Sequence, residues 1–152
     1  NKEEFMNAIS AYIEDQFTAA LQKSCEIAGG DVDEAIIQIG TGYVSFMVQH
    51  PDFLKYHTNT MKSQMFQLHD LKEKSVESYE IFRCTALAFL KKHDCPKAEY
   101  QKEILFMWSL VMGLSNMFAY KIIDSQEEAL KTAEEIIRRE INLRCMRSAY
   151  SR

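Results

Sequence analysis

Residues 104–120 read ILFMWSLVMGLSNMFAY, running from Ile104 to Tyr120 without a charged side chain. At 3.6 residues per turn, apolar groups recur all round the circumference, the pattern of a helix covered on every side. A membrane span is the other home for such a stretch, but its 17 residues fall short of the roughly 20 required. Ser109, Gly113, Ser115 and Asn116 also interrupt it, so no membrane partner is expected. The stretch reads instead as a doubly buried central helix, with one face on its own domain and the other on a second subunit.

The chain around it is of matching character. Its 152 residues correspond to one domain of roughly 150, large enough to bury about 70% of its unfolded surface without disulfides or metal. A hydrophobic share of 47% excludes intrinsic disorder. With 5 Gly, 2 Pro and no Asn-Gly or Asp-Gly turn, hairpins have little to be built from. The fold class is therefore all-α, an antiparallel bundle of about six helices spanning residues 1–152 as a single domain. Cys25, Cys84, Cys95 and Cys145 are scattered, with no CxxC pair, and read as reduced core residues of a cytoplasmic protein. The opening Asn1-Lys2-Glu3-Glu4 is already helical in character, so the chain reads as the trailing part of a longer polypeptide.

Local signals mark the other helices. The first runs from Lys2 to about Ala28, with Phe5, Ile9, Tyr12, Ile13, Phe17 and Leu21 on one face, an Asn1/Glu4 capping box and a Gly29-Gly30 stop. Asp31 and Glu34 open a second, carrying Tyr43, Phe46 and Met47, until Pro51 breaks it. Pro51–Gln67 is irregular, with one or two short helices around Thr58-Asn59-Thr60. Asp70 and Glu73 cap the next long helix, which ends on Lys91-Lys92-His93, and Pro96 begins the one that contains Trp108. Ser125 and Glu128 open the last, whose Leu130, Ala133, Ile137 and Ile141 form a seam for another helix.

No set of reacting groups for an enzyme is present. Gly40-Thr41-Gly42 lies inside a helical apolar pattern rather than after a strand, so a close helix crossing explains it better than a phosphate loop. The residues three before the four histidines are Met47, Leu54, Phe66 and Leu90, which excludes the Glu-x-x-His signature of di-iron bundles. His93-Asp94-Cys95 gathers potential ligands, yet adjacency is not zinc-site spacing, and neither metal nor cofactor is expected. A net charge of −4 leaves no footprint for nucleic acid. Arg138, Arg139, Arg144, Arg147 and Arg152 crowd the end of the chain, where the helix macrodipole favours cations.

Several segments resemble the C-terminal domain of TetR-type transcriptional repressors. Asn1-Lys2-Glu3-Glu4-Phe5 is similar to the start of that family's fourth helix, directly after the DNA-reading helix. Gly42-Tyr43-Val44-Ser45-Phe46 leading to Gln49-His50-Pro51-Asp52-Phe53-Leu54 resembles its helix ending in a His-Pro turn. Trp108 to Leu114 is similar to the Trp-x-x-x-His-Gly element of one subclass, with Met112 standing where that element has His. The resemblance implies a ligand-sensing and dimerising domain whose N-terminal helix-turn-helix is absent from this chain, so that operator DNA is reached only through that missing part.

Eight Met interleaved with aromatics make either a Met-rich core or an adaptable apolar lining, and the resemblance favours the lining. The expected effector pocket comprises Tyr43, Phe46, Met47, His57, Met61, Met65, Phe66, Phe82, Trp108 and Met112. It carries no charged side chain, so the effector is a small, neutral, hydrophobic molecule. A homodimer is expected through Phe106, Leu110, Gly113, Met117, Ile137 and Ile141. The reading from another class is a helical carrier or adaptor for an apolar ligand or partner helix, unrelated to DNA.

Overall fold

The computed structural model describes residues 1–65 and 77–150, and the side chains of 1–58 and 77–147. Among the described residues six helices follow one another: α1 Lys2–Ile27, α2 Val32–Gln49, α3 Pro51–Met65, α4 Glu77–Lys92, α5 Tyr100–Ala119 and α6 Gln126–Tyr150. A 3₁₀ turn, Lys97–Glu99, lies between Pro96 and α5. No strand occurs among the described residues, and the all-α bundle expected from the sequence is the fold. None of the described helices is long and apolar enough to cross a membrane.

The helix ends sit where local chemistry puts them. Asn1 Oδ1 accepts from the Glu4 backbone N–H at 2.9 Å while the Glu4 carboxylate accepts from the Asn1 backbone nitrogen at 2.8 Å, closing a capping box around the first turn. Asp31 accepts from the N–H groups of Asp33 and Glu34. The Ser125 hydroxyl accepts from the Glu128 N–H at 3.3 Å. Pro51–Met65 is one helix rather than the irregular stretch expected. The Thr58 hydroxyl donates to the Leu54 carbonyl four residues back, so this polar residue keeps to helical geometry instead of starting a turn. The Asp70/Glu73 start expected for the fourth helix lies outside the described residues.

The hub of the bundle is α2, which touches all five other helices. Its two interior glycines make this possible. A Cβ at Gly40 would stand 3.2 Å from Ile137 Cγ2 on α6 and 3.5 Å from Val111 on α5, and one at Gly42 would strike Ser24 on α1. Gly40-Thr41-Gly42 is thus a double helix crossing, as its helical setting suggested.

By contrast, α5 is not the doubly covered centre. It buries Met107, Trp108, Val111, Leu114 and Phe118, while Phe106 at 43% and Met117 at 51% exposure face outward. In α6 the seam turns inward: Ile137 and Ile141 are 3% and 5% exposed, within the chain's own core. At 1.5 Å per residue α1 spans roughly 39 Å and α2 roughly 27 Å. The longer helix outruns its partner, which leaves Phe5, Ile9 and Tyr12 exposed although they continue the apolar face.

Candidate functional site

Where α1, α2, α3, α4 and α5 meet, the core holds a void of about 10 Å³, room for about one water molecule. Tyr43 enters from α2, His57 from α3, Phe82 from α4 and Trp108 from α5, four of the residues expected from the sequence. Phe17 and Leu21 of α1 complete one wall, and Ser78, Tyr79 and Val111 close the other. The His57 and Trp108 rings lie parallel within 2°, centroids 6.3 Å apart. Phe17 meets His57 edge-on at 5.3 Å, and Phe82 meets Trp108 edge-on at 5.5 Å.

Three buried polar atoms around this void, Tyr43 Oη, His57 Nε2 and Trp108 Nε1, have no hydrogen-bond partner among the described residues. Leaving a buried donor or acceptor unpaired costs about 1–3 kcal/mol each. Burial pushes the Tyr43 hydroxyl far above its ordinary pKa, with Glu14 adding to the effect, so it stays protonated and able to donate. A carboxylate stands at the edge of the site. Glu14 of α1 accepts a hydrogen bond from the Ser78 hydroxyl and lies 3.7 Å from His57 Nδ1. The sequence reading did not include Glu14, because one acid on a helix looks like part of a solvated face. It contributes two acceptor oxygens to a site otherwise expected to hold no charge. The carboxylate stands between hydroxyl and imidazole, whereas in a Ser–His–carboxylate triad the imidazole holds the middle place.

The other expected lining residues scatter. Phe46 packs with Phe17, Phe53 and His50, and Met47 is fully buried away from the void. Met112, half-buried on α5, does not line it. Met61 and Met65 lie on α3 beyond His57, their side chains outside the described ones, and Phe66 is outside the described residues altogether.

The residues expected at a dimer axis divide in two. Phe106, Leu110, Ile137 and Ile141 border a second void, of about 20 Å³, between α2, α4, α5 and α6. Gly113 and Met117 face outward, and nothing lies within 4 Å of a Cβ added at Gly113. The Arg144 guanidinium lies over the Phe106 ring at 4.1 Å. Two tail arginines are held in ion pairs: Arg144 bonds Glu103 and Glu140, and Arg138 bonds Glu34 and Glu134.

Metal-ligating side chains converge elsewhere, though not as His93-Asp94-Cys95. Asp33, His93 and Cys145 come together from three elements. None of the four cysteines is in a disulfide; Cys84 is exposed and the others half-buried, so they sit at the margins of the core rather than within it. Comparison of the chain with protein families, with curated proteins and with solved structures found no match.

Proposed function

We propose that this chain senses a small, mainly apolar molecule taken up around Trp108, as the effector-binding and dimerising part of a TetR-type transcriptional repressor. One observation carries the reading: three buried polar atoms on three helices, unpaired, converge on the same aromatic-walled void. A protein core selected for stability alone has no use for three such groups. A ligand with a lipophilic or aromatic body and one acceptor group satisfies them, since Tyr43 and Trp108 donate and His57 Nε2 serves in either sense. The present void admits no such molecule, because ligand sites measure roughly 300–1,000 Å³. Uptake therefore parts the lining and shifts the population from a closed to an open conformer, which is what a sensor requires.

In this reading α1 links the site to a DNA-reading unit N-terminal to it, and the exposed Gly113–Met117 face of α5 meets a second copy. The carrier reading shares the pocket but not the DNA-reading unit, and the coding sequence upstream of Asn1 separates the two.

Trp108 is the single tryptophan, so its fluorescence reports on the site directly. Titration with neutral aromatic and lipophilic compounds is expected to change that emission and raise the melting temperature. Tyr43→Phe removes an unpaired hydroxyl. It is expected to stabilise the free chain by about 1 kcal/mol while weakening the compound's binding at least tenfold. If no compound moves either signal, and Tyr43→Phe is neutral or destabilising, the void is ordinary core.

A further inference from the structure

About ten residues along α2 from Tyr43, roughly 15 Å by helical rise, Asp33 in the first turn of α2 meets His93 at the end of α4 and Cys145 on α6. His93 Nε2 is 2.7 Å from Asp33 Oδ1 and 3.5 Å from Cys145 Sγ, and the three donor atoms all lie within 4.8 Å of one another. A tetrahedral ion bound at roughly 2.0–2.3 Å holds its ligand atoms roughly 3.3–3.8 Å apart. The His93–Cys145 separation of 3.5 Å already falls within that spacing, and the His93–Asp33 contact of 2.7 Å has to open by about 0.6 Å to admit an ion.

The surroundings hold Asp33 and His93 in place. Lys92 Nζ takes the other oxygen of Asp33 at 2.8 Å and reaches Asp31 at 3.7 Å, which turns Oδ1 toward His93. A Schellman closure follows α4: the Cys95 N–H donates to the Leu90 carbonyl and the Asp94 N–H to that of Lys91. Asp94 takes a left-handed φ of 52° to make it, so His93 is fixed as the C-cap that follows α4. The Phe89 ring packs on the imidazole at 4.6 Å. An ion pair accounts for Asp33 and His93, but not for a thiol from a third helix directed at the same imidazole nitrogen.

We propose that Asp33, His93 and Cys145 form a transition-metal site suited to Zn²⁺, with a water molecule as fourth ligand. Thiolate, imidazole and carboxylate together select zinc over the hard ions Mg²⁺ and Ca²⁺. On binding, the ion replaces the proton that His93 Nε2 shares with Asp33 Oδ1; that proton and the Cys145 thiol proton pass to solvent, and His93 then carries its one proton on Nδ1. The Lys92 contact to Asp33 Oδ2 becomes an outer support of a ligating carboxylate. The site ties the start of α2, the end of α4 and α6 into one cross-link, and it does not rest on the effector reading.

The test uses the whole chain, reduced, with Co²⁺ alone as probe. One equivalent is expected to give a thiolate-to-cobalt charge-transfer band with tetrahedral d–d absorption, and Zn²⁺ is expected to displace it and raise the melting temperature. Cys145→Ser should abolish the charge-transfer band, His93→Gln and Asp33→Asn should weaken binding at least tenfold, and Cys84→Ser should change neither. Absence of the band in the unmodified chain overturns the proposal, as does a band that survives Cys145→Ser. Should Cys145→Ser fail to fold, judged by circular dichroism, Asp33→Asn keeps the thiol and decides the matter: unchanged Co²⁺ affinity in that variant overturns the site.

Discussion

Helices α2 and α5 are alike on paper and differ in the fold. Residues 35–49 of α2 and 104–119 of α5 both lack charged side chains. Yet α2 is covered by all five other helices, while α5 leaves Phe106, Gly113 and Met117 at the surface. An apolar circumference permits burial on every side without ensuring that neighbours supply it. The glycines mark the difference. Gly40 and Gly42 stand against Ile137, Val111 and Ser24, whereas Gly113 faces open space. In α2 small residues let other helices approach, and in α5 the corresponding position is open.

The largest effect is expected where that cover is complete. Met47→Ala on α2 opens a cavity in a fully buried position and should cost about 2–5 kcal/mol in denaturant unfolding. Met117→Ala on α5 should stay within about 0.5 kcal/mol for the monomer, and equal losses would erase the distinction between the two helices. Next comes Gly40→Leu, which forces a side chain into Ile137 and Val111 and should cost about 1–3 kcal/mol. Gly113→Leu meets nothing and should gain up to about 1 kcal/mol of helix propensity in the monomer.

Met117→Glu sharpens the comparison through assembly. With the outward face of α5 against a second copy, the unmodified chain should sediment as a dimer at micromolar concentration. The variant should sediment as a monomer of nearly unchanged melting temperature, because an unpaired charge is tolerated in water but not in a desolvated interface. A monomeric unmodified chain, or a variant that stays dimeric, removes α5 as the interface.

The smallest effect concerns the anchor between α2 and α6. Arg138 donates to both oxygens of Glu34 at 2.8 and 2.9 Å. Those bonds, with a further one from Gln38, hold the Glu34 carboxyl down at about 2, against an ordinary 4.5. A depressed folded pKa means that the stabilisation is fully present above 4.5 and drains away as the pH falls from there toward about 2. Because the pair is partly exposed, its worth is about 1 kcal/mol rather than the full shift. Arg138→Met should lower stability by that amount at about pH 6 and by clearly less at about pH 3. An equal loss at both values would mean that the ion pair is not the cause.

What could be read in the residues alone was local. The caps at Asn1, Asp31 and Ser125, the Gly29-Gly30 stop and the break at Pro51 act within a few residues of themselves, so helix starts and stops were legible. The glycine crossing in α2 and the aromatic positions Tyr43, Phe82 and Trp108 were legible for the same reason, since periodicity assigns a face from sequence spacing. Which body covers that face is a separate matter. Ile137 and Ile141 carry the same seam whether α2 of the same chain or a second copy lies upon it, and the tertiary structure chose α2. Glu14 reads as part of a solvated helix face until α1, α3 and α4 close around His57. Cys145 was separated from His93 by most of two helices, while the adjacent Cys95 was the more obvious companion. Contacts of that kind depend on how helices cross, and the crossing is set by the packing of the whole core, which no short stretch of sequence contains.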